Sequence, residues 1–426
     1  MIEQCKQQIQ SGALSSAMKT LYFGDEAVAA QCARYQSLCD LYQETYGDTD
    51  ALRFFSAPGR TEVCGNHTDH NHGKVMAAAV DLDAVAAACK TDDGVVSVKS
   101  YEYPKIDRVD SADLSLHDDE TGHSQALIRG VCAGFVKRGY KVGGFNCVTR
   151  TQVISGSGLS SSAAFEVLVG TVMNYLYNDG KVSAVEIAQI AQYAENAYFG
   201  KPCGLMDQMA CSVGGFVKID FADNEHPVIE PIDFDFGACG HKLCIVDTRA
   251  DHAELTDEYA AIRIDMEKAA SAFGKQALRE VDEADFRANL PKVRAIAGDR
   301  GVLRGLHFFG ENKRVEQAAA ALEAGDFETF KSVVTASGYS SYMYNQNVFS
   351  AKMPLNQPVA VALAASAQYL EGRGAWRVHG GGFAGTIQAF VPDDMLDGYR
   401  ALMESIFGQG SCYVLNIRPV GGTEVK

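Results

Sequence analysis

Residues 145–153 read as a strand that runs into Gly156-Ser157-Gly158-Leu159-Ser160-Ser161-Ser162-Ala163-Ala164, after which Phe165, Leu168, Val172 and Leu176 recur near helical period. A glycine-rich turn that closes a strand and opens a helix leaves a chain little freedom. Its glycines let the backbone approach an oxyanion, its serines add donors, and the helix points its partially positive end at whatever fills the turn. Such a turn is an anion cradle or, more plainly, a helix cap. It is not the GxxxxGK[ST] phosphate loop, because no Lys follows the second glycine.

Two acids follow. Ser183-Ala184-Val185-Glu186 has the pattern of a capping box, and Ile187, Ile190, Ala191 and Ala194 share one face of a helix that Gly200 and Pro202 should stop. Glu195 lies near that helix's end, and Asp207 sits within Cys203-Gly204-Leu205-Met206-Asp207-Gln208-Met209. An acid framed by Leu and Met is partly desolvated unless it faces a ligand or a cation, the other reading being a paired structural carboxylate.

Upstream, residues 59–73 crowd Arg60, Glu62, Asn66, His67, Asp69, His70, Asn71 and His72 between glycines, a density of hydrogen-bonding groups that suits a polyol. The spacing His67-x-x-His70-x-His72 also permits a zinc site, and a hydrogen-bonded surface loop is the third reading. Residues 54–60, that loop and 75–88 parse as strand, loop, strand, with Asp81 and Asp83 interrupting the second strand. Gly380-Gly381-Gly382, before a strand at 386–391, cannot be a strand interior. Helical spacing marks the first fifty residues and segments at 260–273 and 315–322.

Lys and Arg number 38 against 54 Asp and Glu, a net charge of −16 without any basic run, which argues against nucleic-acid binding. The polar start Met1-Ile2-Glu3-Gln4-Cys5-Lys6 is no secretory leader, and no stretch approaches ~18 uncharged apolar residues. A soluble, cytoplasmic protein with no membrane partner is expected. Its 12 Cys contain no CxxC pair and read as reduced thiols. Without repeats or low-complexity linkers, the length suggests a helical preface over 1–50 and two closely packed domains over 51–225 and 226–426, with a surface crossing at 223–227.

Three stretches, in order and far apart, resemble one family. The 60–73 loop resembles the galactokinase signature, 156–164 the central ATP loop of the GHMP small-molecule kinases, and 379–385 their third, glycine-rich motif. The resemblance implies an α/β (α+β) fold of two domains that close over a sugar and ATP, with the active site in the interdomain cleft. Position by position, it implies that Gly156, Ser157, Gly158, Leu159, Ser160, Ser161 and Ser162 hold the nucleotide phosphates, and that Ser162 and Glu195 coordinate Mg²⁺. Asp207 would face the anomeric hydroxyl of galactose with Arg60 beside it. Asn66, His67, Thr68, Asp69 and Tyr259 would contact the sugar, and Gly381 and Gly382 would line the cleft. The expected partners are sugar and ATP; no oligomeric state is legible, and a monomer is the working expectation.

The chain departs from the family pattern on the sugar side. Galactokinases usually have Glu where this chain has Asn66 and Asn where it has Glu62, while His70, His379 and Ala384 replace Tyr, Thr and Gly. An amide at 66 can still bond a hydroxyl on the sixth carbon, so galactose leads. Loss of a carboxylate there would also lessen repulsion of a uronic acid, which keeps galacturonate as the alternative. A non-catalytic sugar sensor is disfavoured by the complete run from Ser160 to Ala164, and a mevalonate- or homoserine-type kinase by His67-Thr68-Asp69.

Overall fold

In the computed structural model, which describes residues 1–153, 158–201, 203–250 and 255–426, the strands form two sheets. They are β1 (Arg53–Cys64), β2 (Lys74–Lys90), β3 (Val95–Ser100), β4 (Ile106–Asp110), β5 (Phe145–Thr151), β6 (Phe216–Asp220), β7 (Val228–Ile232), β8 (His241–Asp247), β9 (Ala375–Val378), β10 (Thr386–Pro392), β11 (Cys412–Leu415) and β12 (Thr423–Val425). The larger sheet runs β12-β1-β2-β5-β3-β4, with the β6–β7 hairpin also on β2; the smaller runs β11-β8-β10-β9. The crossing at 223–227 is the turn of that hairpin, so β7 stays in the large sheet.

The helices are α1 (Ile2–Gln10), α2 (Ser15–Leu21), α3 (Asp25–Tyr46), α4 (Ser124–Lys137), α5 (Ser161–Tyr177), α6 (Ala184–Ala194), α7 (Met206–Val213), α8 (Thr256–Ser271), α9 (Glu283–Ala288), α10 (Leu290–Glu323, broken at Gly298), α11 (Phe327–Ser340), α12 (Pro358–Leu370) and α13 (Leu396–Phe407). The alternation of side chains along a strand divides β2 between two cores. Val85 and Ala87 meet Tyr35, Leu38 and Tyr42 of α3, while Ala84, Ala86 and Ala88 join the residues of α4, α5 and α6. The first forty-six residues thus cover one face of the large sheet as helices. Across the junction of the sheets, Phe330 of α11 stands edge-on to Phe216 of β6 at 5.9 Å and to Phe390 of β10 at 5.2 Å. The two sheets share one core.

The expected strand, loop, strand is present as β1, residues 65–73 and β2, but the interruption expected at Asp81 and Asp83 is corrected: β2 is a single strand of 17 residues. Its first half pairs with β6 and its second with β5, and the two acids lie where one neighbour gives way to the other. Each is satisfied by residues remote in sequence. Asp81 accepts from Asn416 N and Nδ2, both at 3.0 Å. Asp83 is fully buried and receives Arg34 Nη1 of α3 at 2.5 Å, Arg418 Nη1 at 3.0 Å and Tyr22 Oη at 2.6 Å, with Ser56 Oγ on the same carboxylate. Burial alone would raise the Asp83 pKa, yet the two guanidinium charges and these hydrogen bonds leave it below the ordinary range.

Breaking a buried ion pair from one side strands the remaining charge. Asp83→Asn is therefore expected to cost about 3–5 kcal/mol, read as a lowered urea midpoint of the full chain; a wild-type midpoint would refute this account of β2.

Candidate active site

Irregularities in β1, between Pro58 and Arg60 and between Glu62 and Cys64, set the direction of the side chains that leave the sheet here. Arg60 N donates to Leu159 O at 3.1 Å, which ties β1 to the turn before α5. Arg60 Nε and Nη2 reach Asp207 Oδ1 and Oδ2, both at 2.8 Å, and Nη1 bonds Gly158 O. The Arg60 side chain is 8% exposed and that of Asp207 32%, so the carboxylate opens outward with the guanidinium behind it. Ser160, held in the left-handed region at φ 59°, turns its hydroxyl onto Asp207 Oδ2. Burial works to raise the Asp207 pKa; the charge and hydrogen bonds of Arg60, with Ser160 and Lys201, bring it below the ordinary value. Asp207 also lies in the first turn of α7, where a helix favours negative charge.

Gly158 has φ 73°, and a methyl there would press within 3.1 Å of His379 Nδ1 and Thr386 Oγ1. The glycine-rich segment before β10 therefore supports the turn from beneath. His379 Nε2 accepts from Glu62 N at 3.4 Å while Nδ1 meets Thr386 Oγ1 at 2.9 Å. Burial, then the charges of Arg60 and Arg377, keep that imidazole neutral, its pKa well below the usual range. Leu159 is buried, and Ser161 opens α5. Gly156, Ser157 and Pro202 lie outside the described residues.

Beside Asp207 is a second oxygen cluster. After Ala194, α6 widens into a π turn over Glu195–Phe199, a geometry that recurs at functional sites, and Gly200, at φ 83°, stops the helical run as expected. This turn presents Glu195 to Ser162, whose Oγ lies 3.2 Å from Glu195 Oε1. Lys201 Nζ approaches the same oxygen at 2.9 Å, so it already accepts a cation. Gln208 Nε2 donates to Glu195 Oε2 at 2.7 Å and to Glu166 Oε2 at 3.2 Å. Glu166 is fully buried; burial and then the charge of Glu195 push its pKa up to about 9.

The third cluster joins the 65–73 loop to the far side of the cleft. His67 Nε2–H donates to Gly381 O and Tyr259 O–H to Gly382 O, each at 2.9 Å. A methyl on Gly204 would strike Asp69 Oδ2 at 2.5 Å, so the segment entering α7 passes over the loop's acid. Burial raises the Asp69 pKa; His67 opposes this and the charge of Glu62 adds to it. Two expected sugar contacts are spent elsewhere. Asn66 Nδ2 donates to Glu62 Oε1 and Gly380 O, both at 2.8 Å, while Oδ1 accepts from Asn347 Nδ2 at 2.8 Å and Ser341 Oγ at 3.3 Å. Thr68 Oγ1 lies 2.8 Å from Gly65 O and 2.6 Å from Lys74 O. Through these hydrogen bonds both residues help to build the loop. No group of three or more His, Cys, Asp or Glu among the described residues is arranged to hold a metal, and His67 turns to Gly381 instead of joining His70 and His72.

Sequence reading missed the residues that hold this loop. Glu311 of α10 accepts Gly65 N at 2.8 Å and Ser337 Oγ at 2.9 Å, and His307 Nε2–H donates to Asn66 O at 2.9 Å. In the sequence both belong to an ordinary charged helix, and nothing in their spacing points to residue 65. Arg377, fully buried, pairs with Glu62 Oε1 at 2.9 Å. Glu166 had a signal: a lone acid on the apolar run Ala163, Ala164, Val167, Leu168, one helical turn beyond Ser162.

Known proteins resemble this chain in sequence and in fold. Residues 40–90 match the galactokinase galactose-binding signature, and residues 126–215 match the GHMP kinases N terminal domain. A galactokinase of Streptomyces coelicolor is 35% identical over 374 residues, 86% of this chain and 91% of that one. One from Actinobacillus pleuropneumoniae is 32% identical over 366 residues, 85% and 91% of the two chains. Lactococcus lactis galactokinase, solved in complex with galactose, superposes with a TM-score of 0.76 at 25% identity, over 92% of this chain and 99% of that one. Methanococcus jannaschii mevalonate kinase shares the fold, with a TM-score of 0.61 at 12% identity over 87% and 99% of the two chains.

Burial would raise the pKa of Glu311, but Arg314, His307 and Arg377 hold it at about 2 against an ordinary 4.5. A carboxylate whose folded pKa is depressed stabilises the fold fully above its unfolded pKa and loses that contribution as pH falls toward the folded value. On the order of 3 kcal/mol is at stake. The stability gap between wild type and Glu311→Gln, measured by urea titration, is expected to shrink below about pH 4.5; a gap independent of pH would contradict it.

Proposed function

The chain belongs to the galactokinase family, and on that premise we propose that its cleft transfers the terminal phosphoryl group of ATP to the anomeric hydroxyl of galactose, giving galactose 1-phosphate and ADP. The observation that carries this reading is the two-pronged Arg60–Asp207 pair, open to the cleft on its acidic side, with Ser162 and Glu195 adjoining. We assign Asp207 to the sugar hydroxyl. Held ionised by Arg60, it is a weak base: it orients the hydroxyl and takes its proton as the new P–O bond forms and the bond to ADP breaks. Arg60 fixes both carboxylate oxygens. Gly158, Leu159, Ser160, Ser161 and Ser162, with Gly156 and Ser157, would receive the phosphates at the start of α5.

Ser162 and Glu195 would hold Mg²⁺, since they offer two hard oxygens 3.2 Å apart and Mg²⁺ takes few protein ligands beside phosphates and water. When bound, the ion supplies positive charge to the migrating group. His67, Asp69 and Tyr259 would contact the sugar, with Gly381 and Gly382 behind them.

Charge at the sugar end favours a neutral hexose over galacturonate. The carboxylate absent at position 66 stands instead at Glu62, 2.8 Å from the Asn66 amide, and its field reaches Asp69. We retain as proposals the three-part division at residues 50 and 225 and a cytoplasmic location, which twelve unpaired cysteines support.

A coupled ADP-release assay across galactose, galacturonate, N-acetylgalactosamine and arabinose tests the reading. Turnover is expected with galactose foremost; folded protein that turns over none of them with Mg·ATP would end it. Asp207→Asn is expected to bind ATP normally while kcat falls by about 10²-fold or more, and near-wild-type kcat would remove Asp207 from its role.

A further inference from the structure

Glu166 has no place in the chemistry above, yet it is the acid that the interior tolerates least. It lies on α5 one turn beyond Ser162, fully buried beside Ala163, Ala164 and Val167. An apolar side chain would fill such a position without penalty. Its Oε2 accepts from Gln208 Nε2 at 3.2 Å, and its Oε1 has no hydrogen-bond partner. Gln208, also fully buried, follows Asp207 on α7. Its side-chain nitrogen carries two hydrogens and has two carboxyl neighbours, Glu166 Oε2 and Glu195 Oε2 at 2.7 Å, so the amide orientation is settled by chemistry. The consequence falls on Glu195. Gln208 ties down Oε2, and Oε1 alone is left facing Ser162 and Lys201.

We propose that Glu166 and Gln208 form a bracket that positions the Glu195 carboxylate, presenting Oε1 to a bound divalent cation. The proposal rests on the cation assignment of Ser162 and Glu195 made above. Neither bracket residue touches substrate in it; both are positioning residues. The bracket also unites three helices, since α5 supplies Ser162 and Glu166, α6 leads into Glu195, and α7 carries Asp207 and Gln208. Aim of the cation ligand and aim of the sugar-facing acid are thereby set by one rigid group. The raised pKa of Glu166 is consistent with this: as a neutral acid it accepts from the amide without adding a charge that would repel Glu195. A neutral carboxyl has the shape and hydrogen-bonding capacity of a Gln side chain, which supplies the control.

The experiment uses the full chain with Mn²⁺ as probe and ADP as nucleotide, followed by calorimetry. Glu166→Leu fills the position with an apolar side chain and removes the acceptor. It is expected to raise the Mn²⁺ concentration needed for half-maximal enhancement of ADP binding by about tenfold or more, the usual cost of losing a group that orients a metal ligand. ADP affinity without metal and galactose affinity should stay at wild-type values, and Glu166→Gln should recover most of the Mn²⁺ response. Unchanged Mn²⁺ dependence in folded E166L, an equal loss of galactose affinity, or a Gln variant as impaired as the Leu variant would overturn the bracket. If E166L does not fold, Gln208→Ala decides by the same Mn²⁺ criterion. A wild-type chain that binds ADP without any Mn²⁺ enhancement also overturns it. Normal Mn²⁺ linkage without sugar turnover would instead strike the galactokinase reading and leave the bracket standing.

Discussion

A carboxylate taken out of water must find a positive partner or take up a proton, and this constraint organises the molecule. Asp83 is met by Arg34 and Arg418, Asp207 by Arg60, Glu62 by Arg377, Glu311 by Arg314 and Asp265 by Arg304. Most of these pairs join segments far apart in the chain. Arg304, Arg377 and Arg418 are themselves fully buried, so neither member of their pairs has water to fall back on. The ion pairs decide which segments may sit together, while the aromatic core around Phe330 supplies cohesion without that selectivity.

The same constraint gives the acids of the cleft different states. Asp207, fronted by a guanidinium, is ionised and a poor base, suited to holding a hydroxyl in line. Asp69 is pushed the other way by burial and by Glu62, and Glu166 further still. The environment of each carboxyl, rather than its residue type, assigns its part.

What could be read from the sequence follows the range of the interactions concerned. The start of α5 at Ser161 and the capping box at Ser183 depend on neighbours a few residues away, and the local pattern places them. Gly381 and Gly382 also declare themselves, since a glycine run before a strand has few uses. The strand at 75–88 was legible, but Asp81 and Asp83 look like breaks in it until Asn416, Arg34 and Arg418 arrive from elsewhere. Asn66 illustrates a subtler gap. Its type suggested a sugar contact, whereas its hydrogen bonds to Gly380, Ser341 and Asn347 are fixed by partners about 300 positions on. Glu311 and His307 carried no local signal of any kind.

The countercharges of Asp83 lie on either side of it in the sequence and far from each other. During synthesis Arg34 emerges early, but Arg418 and β12, which borders β1, are translated only after the whole smaller sheet. The large sheet therefore cannot reach its fully paired form until the smaller sheet has been translated, unlike a chain that folds domain by domain as it is made. Its central strand, with Asp83 already matched by Arg34, waits for the second guanidinium from residue 418, so the earliest β-structure is completed late and the two sheets are bound together.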